Sequence, residues 1–260
     1  MQMMALERQR RIVELVNEQG SIRVTEISRL FDVTPETARR DLDTLEAENK
    51  LKRSHGGAVR VEPDASDEPY LKRESTRSAE KTLIAKRAVG LVGPGDRIAL
   101  DASSTAWFVA RELPDIPLTV LTNSIRVMAE LVNRDKVEVI ATGGILRKSS
   151  MSFVGPLAEE TLAKYHVHKA IFSCKGVHPV YGVSEANELQ ALVKRKMVAI
   201  ADTAILLADD SKLGERDFTY LFPLKDVDVL ITNAPSDAEA LRPFAEAGAK
   251  DGGVLEIMTT

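Results

Sequence analysis

Two apolar rhythms divide the chain. Over the first sixty residues apolar side chains return at helical spacing, whereas beyond residue 95 or so they come in short runs separated by helical stretches. Leu6, Ile12, Val13 and Val16, followed by Gly20, predict an amphipathic helix over 5–18. Ile27, Leu30 and Phe31 predict a short second helix from Thr25, its expected cap, to Phe31, and Asp32-Val33 a tight turn. Thr34 as N-cap, Pro35 at the first helical position and Glu36 at the positive end of the dipole specify a third helix start. Its apolar stripe is Ala38, Leu42 and Leu45, and Asn49 stands where glycine commonly ends a helix. Leu51 to Val59 then reads as two short strands around a Gly56-Gly57 turn.

Residues 61–78 break both rhythms. They are polar, carry Pro63 and Pro69, and predict an interdomain linker between a domain over 1–60 and a larger one over 79–260. After a helix expected from Ala79 to Leu91, strands are predicted at Arg97 to Leu100, Leu118 to Leu121, Val137 to Ala141, Ala170 to Ser173, Ala204 to Ala208 and Val227 to Thr232. Helices are predicted near 105–113, 124–133, 156–164, 187–201 and 237–247. Alternation of this kind predicts an α/β domain with a mainly parallel sheet.

The net charge of -4 argues against a nucleic-acid binder until it is divided. Residues 1–60 hold 11 Lys and Arg against 10 Asp and Glu, and the remainder holds 24 against 29. Lys50, Lys52, Arg53 and Arg60 have no acidic residue among them, which makes a local cationic patch. Three helices and a basic hairpin in this order predict a winged helix-turn-helix, with the third helix in the major groove and the hairpin along phosphates. At about 100° per residue Arg40 lies nearly opposite the apolar stripe and is the candidate for base edges. Arg39, on the flank, is the candidate for a phosphate. Thr34, Glu36, Thr37, Lys52, Arg53, His55 and Gly56 complete the expected DNA face.

In the second domain the turns after the strands are small, polar or cationic, and in an open α/β sheet ligands sit beyond the carboxyl ends of strands. Asp101, Ser103, Ser104, Thr105, Thr122, Asn123, Gly143, Gly144, Lys175, Gly176 and Lys212 are therefore expected to converge on one pocket, with Lys148 and Glu185. Ser103-Ser104-Thr105 opens a helix and suits a phosphate. Lys148, Lys175 and Lys212 are candidate counter-charges, and Asp101, Asn123 and Glu185 candidate partners for sugar hydroxyls.

Val33-Thr34-Pro35-Glu36-Thr37-Ala38-Arg39-Arg40-Asp41-Leu42, followed by Arg53-Ser54-His55-Gly56-Gly57-Ala58, resembles the DeoR family of bacterial transcriptional regulators, with Ala38 where isoleucine is usual. Asp101-Ala102-Ser103-Ser104-Thr105, Thr122-Asn123, Gly143-Gly144 and Ala208-Asp209-Asp210-Ser211-Lys212-Leu213-Gly214 are similar to motifs of that family's effector domain, with Ser103 in place of a glycine. The resemblance spans roughly residues 5–257. It implies a ribose-5-phosphate-isomerase-like effector domain that binds a phosphorylated sugar and releases a repressor from double-stranded operator DNA. The chain looks most similar to members associated with rhamnose-type deoxysugar catabolism, which implies a ketose 1-phosphate. A homodimer or larger homo-oligomer is expected.

Other classes find less support. No run of about 18 apolar residues suggests a membrane span and the amino terminus lacks a signal-peptide pattern, so a cytoplasmic address is expected. A single cysteine, Cys174, and scattered histidines supply no metal or disulfide framework, and no cofactor is expected. The rival readings are a sugar-phosphate isomerase fused to a DNA-binding module, with Asp101 or Glu185 as base, and an activator.

Overall fold

The computed structural model describes residues 5–48, 50–54, 56–59, 68–235, 239–248 and 255–260. The chain forms two compact units, residues 1–65 and 66–260.

The first unit runs α1 (Ala5–Gln19), β1 (Ser21–Arg23), α2 (Val24–Phe31), α3 (Pro35–Ala47), β2 (Lys52–Ser54) and β3 (Gly57–Val59). Ile12, Val16, Ile27, Ala38, Leu42, Leu45, Leu51 and Ala58 close its core. Leu6 does not join them: it is 82% exposed, one turn before the buried stripe of α1 begins. The cap of α2 is Arg23, which makes no side-chain cap bond, so the helix begins one residue before the expected Thr25. Asp32 ends it in the left-handed conformation, φ 50°, and forms the turn into α3. Asn49 lies outside the described residues.

The wing has a third strand that the apolar pattern does not show. β1 and β2 both pair antiparallel with β3, in the order β1-β3-β2. Gly56 alone of the two turn glycines has a positive φ, 78°, while Gly57 already belongs to β3. Gly57 is needed for a different reason: a Cβ there would fall 2.1 Å from the Ile22 carbonyl oxygen, so β1 can pair only with a strand that lacks a side chain at that point. Beneath α3, Arg8 grips Asp41 through Nε at 2.6 Å and Nη2 at 3.2 Å, both side chains buried. This bidentate pair fastens α1 to the back of α3.

The second unit begins with α4 (Tyr70–Ser75) and α5 (Ser78–Val89). Residues 68–78 are thus folded into this unit, and Tyr70 is 1% exposed, so the expected linker over 61–78 is too long. The chain continues through β4 (Arg97–Leu100), α6 (Ser104–Glu112), β5 (Leu118–Thr122), α7 (Ile125–Leu131), β6 (Val137–Ala141), β7 (Ile145–Arg147), β8 (Ser152–Val154), α8 (Pro156–Leu162) and β9 (Val167–Ser173). Then come β10 (Gly176–His178), β11 (Gly182–Glu185), α9 (Glu188–Ala199), β12 (Ala201–Leu207), β13 (Thr219–Phe222), β14 (Val229–Thr232), α10 (Arg242–Gly248) and β15 (Glu256–Thr259). The helix expected over 237–247 is a short 3-10 turn, Glu239–Leu241, leading into α10, with 236–238 outside the described residues.

Seven strands form one sheet in the order β15-β14-β12-β9-β4-β5-β6, and every pairing in it is parallel. It is buried on both faces. Ile98, Leu100, Val120, Ile171, Ile205 and Ile231 pack on one side, and Ala99, Leu121, Ala170, Phe172, Leu206 and Leu230 on the other. Two-sided burial is why these strands read as continuous apolar runs. β15 and the short strands β7, β8, β10, β11 and β13 escaped the pattern, being three or four residues long or confined to an edge. Sequence order leaves β4 in two directions, toward β5 and β6 on one side and, by way of β9, toward β12 and β14 on the other. The sheet therefore has its switch point between β4 and β9, where open α/β sheets leave a crevice at the strand carboxyl ends.

Candidate functional site

In the first unit the start of α3 is built as its sequence specifies. Thr34 Oγ1 accepts from the Thr37 amide at 3.2 Å and lies 3.0 Å from the Thr37 hydroxyl. Glu36, Arg39 and Arg40 point to solvent, the Arg40 side chain 80% and the Arg39 side chain 55% exposed. Glu36 stands 3.6 Å from Arg39 and 4.0 Å from Arg40, at the outer limit of ion pairing. Exposed pairs of this kind contribute about 0–1 kcal/mol, so both guanidiniums are available to a stronger anion. Ala38 is fully buried, and its small side chain sits within the core rather than on the outer face.

Arg53 is placed differently from the free cation expected. Its Nε lies 3.1 Å from Asp43, its Nη1 donates to the Gly57 carbonyl at 3.2 Å, and its amide donates to Glu46 at 2.8 Å, so it ties the wing to α3. Gly56 accepts from the Val24 amide at 2.9 Å at the exposed turn. His55 and the Lys52 side chain lie outside what the structure describes.

In the second unit a cavity of about 220 Å³ opens at the switch point of the sheet. Of the expected residues it gathers Ser103, Ser104, Thr105, Lys175, Glu185 and Lys212, and it adds Glu68, Arg73, Thr76, Arg77, Lys81, Ser173, Cys174, Lys194, Asp209 and Ser211. Six cations thus face three carboxylates.

Asp101 lies beneath rather than in the lining. It is 1% exposed and accepts from the Ser103 amide at 3.2 Å, the Ser103 hydroxyl at 2.6 Å and the Ser173 amide at 3.4 Å, with Lys194 Nζ at 3.2 Å. Ser103 Oγ also accepts from the Ala106 amide at 3.0 Å, so the hydroxyl that replaces glycine caps α6. Ser104 and Thr105, in the first turn of α6 where backbone amides lack an intrahelical acceptor, line the cavity.

Glu185 is also committed. Lys194 donates to it and to the Ser173 carbonyl, the latter at 2.7 Å. Burial opposes both charges, but each holds the other ionised: the Glu185 carboxyl stays below its ordinary range and the Lys194 ammonium above its own. Both carboxylates, Asp101 and Glu185, are thus tied to Lys194 within the fold. Cys174 is buried, and burial pushes its thiol up to about 12, which keeps it protonated.

The remaining cations are crowded. Burial first, then Lys212, lowers Lys81 to about 8, and burial, then Arg73, lowers Lys175. Lys212 Nζ donates to Ser173 Oγ at 2.8 Å and lies 3.6 Å from Asp209. Asp209 is held below its ordinary value because Lys212 and the Ser211 hydroxyl outweigh its burial.

The other expected residues lie outside this lining. Thr122 Oγ1 donates to the Leu100 carbonyl at 2.7 Å and accepts from the Ser124 amide at 3.0 Å, while Asn123 Nδ2 donates to the Phe153 carbonyl at 2.9 Å: both lock the end of β5. Gly143 and Gly144 have φ of 65° and 114° and start the β7–β8 hairpin, where a Cβ on Gly144 would fall 2.8 Å from the Val154 carbonyl oxygen. Lys148 is exposed in the turn of that hairpin. Gly176 is required by the Glu215 backbone, 2.6 Å from where a Cβ would sit. Lys81 and Lys194, by contrast, were missed. Each stands on a buried helical stripe, Lys81 with Ile84, Ala85 and Ala88, Lys194 with Gln190 and Met197, and a lysine in register with core positions is the signal that marks them.

Comparison with known proteins agrees with this division. Residues 8–64 match the DeoR-like helix-turn-helix domain and residues 76–234 the DeoR C-terminal sensor domain. The chain is 49% identical over 248 residues to the HTH-type transcriptional regulator YulB of Bacillus subtilis, covering 95% of this chain and 96% of that one. It is 37% identical over 222 residues to the L-fucose operon activator of Haemophilus influenzae, covering 85% and 89%, and 37% identical over 222 residues to the transcriptional repressor GlcR of Bacillus subtilis, covering 85% and 86%. Ribose 5-phosphate isomerase A of Methanocaldococcus jannaschii overlaps 53% of this chain and 55% of its own at a TM-score of 0.40 and 19% identity, too slight a likeness to build on. A helix-turn-helix head joined to a sensor with a parallel sheet defines a ligand-responsive transcriptional regulator rather than an enzyme. The chain belongs to the DeoR family. No helix among the described residues is long and apolar enough to cross a membrane.

Proposed function

We propose that the chain is a cytoplasmic repressor of a sugar-catabolism operon, bound to its operator as a dimer or larger assembly and released when a phosphorylated sugar fills the sensor cavity. The observation that carries this is the composition of that cavity: six cations against three carboxylates, at the amino end of α6 and at the switch point of the sheet. A phosphate dianion offsets the burial, and after it the repulsion, that lower Lys81 and Lys175, and the carboxylates and hydroxyls nearby suit the sugar. The relative GlcR is named a repressor, and the L-fucose operon activator points to deoxysugar metabolism, consistent with a ketose 1-phosphate.

In the head, Arg40 reads base edges while Arg39, Thr34, Thr37 and the wing meet phosphates. Release requires the ligand to prefer the state that does not bind DNA, and a preference of about 1.4 kcal/mol changes the operator equilibrium tenfold. The test is an operator titration at fixed salt across a panel of sugar phosphates. One ketose 1-phosphate weakening the complex supports the reading. A panel that leaves it untouched, or a compound that tightens it, overturns the repressor mechanism.

A further inference from the structure

α4 is the first helix after the connection from the DNA-binding unit, and it faces two ways. One side is anchored within the sensor: the Tyr70 amide donates to the Ser149 carbonyl at 2.8 Å, and Glu74 pairs with Arg126 at 2.9 Å. Beside Tyr70, with its guanidinium carbon 5.4 Å from the centre of that ring, Arg73 lines the cavity. Its Nε and Nη2 are buried without a hydrogen-bond partner. These two nitrogens form one edge of the guanidinium, the edge with which Arg8 holds both oxygens of Asp41 in the first unit. Arg73 therefore presents, desolvated, the donor pair that an oxyanion fills, and a buried donor without a partner is unfavourable until something fills it.

The corner after α4 is also under constraint. Arg77 has a φ of 53°, which a non-glycine side chain disfavours. It is pinned there by Asp209 at 3.3 Å, by Glu80 at 3.4 Å and by Asp210. Asp209 lies in the same cavity and also accompanies Lys212. Lys81 donates to the Thr76 carbonyl at 2.7 Å and to that of Arg73, so the end of α4 is held by a lysine that itself lines the cavity.

We propose that Arg73 is the residue that closes on the ligand's anionic group, donating from Nε and Nη2 to two of its oxygens, and that this contact makes α4 the element through which occupancy is passed toward the DNA-binding unit. The inference rests on the sensor cavity being the ligand site, as above. It goes further in naming the contact and the segment that respond. The group recognised is an oxyanion with two accepting oxygens, a phosphate before a carboxylate given the cationic excess.

The experiment uses the full chain, with inorganic phosphate and fructose 1-phosphate as probes and fructose as the uncharged control. Affinity is measured by calorimetry, and trypsin cleavage is followed at the bonds after Lys72 and Arg77. In the wild type an anion binds and protects both bonds. Arg73→Gln is expected to weaken binding about tenfold or more and to abolish protection. Its ligand-free melting temperature is expected to change little, because losing the contact over the Tyr70 ring is offset by removing two buried donors that lack an acceptor, whereas a merely structural arginine would lower it. Arg73→Lys, which keeps the charge and loses the paired donors, is expected to fall between.

Equal affinity in Arg73→Gln and wild type overturns the contact and leaves the cavity reading standing. Binding without protection of α4 overturns its role as the responding element. Failure of wild type to bind either anion overturns this inference and the sugar-phosphate reading together.

Discussion

The two units carry their positive charges in opposite ways. On α3 the guanidiniums of Arg39 and Arg40 stand in water, in loose contact with one glutamate, and sacrifice little to meet DNA. In the sensor cavity Lys81 and Lys175 are desolvated and are repelled by Lys212 and Arg73. A hydrated cation gives long-range, salt-sensitive attraction suited to a polymer of phosphates. A crowded set, partly shielded from water, suits a single small anion that neutralises several charges at once. The head can engage and let go cheaply, while the sensor holds its lysines close against other cations.

The largest test of that contrast lies where the head does bury charge. Asp41→Ala should destabilise the first unit by about 3–5 kcal/mol by stranding Arg8, seen as an early, separate transition in urea melts of the full chain. If the transition does not move, the Arg8–Asp41 pair does not hold α1 to α3. Next, Lys212→Gln should cost about 1.5–3 kcal/mol, roughly 10- to 100-fold, in sugar-phosphate affinity by calorimetry, with operator binding of the free protein unchanged.

Arg40→Ala should lose about 1–3 kcal/mol of discrimination between operator and mutated operators in competition gel shifts, while Lys52→Ala weakens all DNA alike and lowers the salt slope. Equal behaviour of the two would erase the distinction between base reading and phosphate contact.

The smallest effect is on pH. Lys81 is lowered to about 8 from an ordinary 10.5, so between those values the unfolded chain holds more protons than the folded one, and ligand-free stability should rise with pH across that window. An anion favours the protonated form, so ligand affinity should instead fall as pH passes about 8, by at most about tenfold per unit. Lys81→Arg should flatten both curves in melts and calorimetry.

Local signals were legible from sequence: the Thr34 cap, the turn at Asp32, the apolar runs of β4, β5, β6, β9, β12 and β14, and six of the sixteen residues that line the cavity, because strand ends in a doubly buried sheet have to converge. What was hidden depends on distant partners. Asp41 looks like one more helix-surface acid until Arg8 meets it. Asp101 and Glu185 look like ligand contacts until Lys194 satisfies them. Arg73 looks like part of a linker until Tyr70 and Glu74 seat its helix. Leu6 erred the other way, an apolar residue in phase with a stripe that starts one turn later.

The parallel sheet carries a consequence in time. Its central pairing joins Ile98 to Lys169, and β14 and β15 complete the edge only near the carboxyl end, whereas the contacts that close the head all lie within the first sixty residues or so. Pairings between distant segments form slowly, and a growing chain folds its early domain first. During synthesis the head is therefore finished before the sensor exists, and each new molecule passes through an interval in which it has a reading surface for DNA and no means of being told to release it.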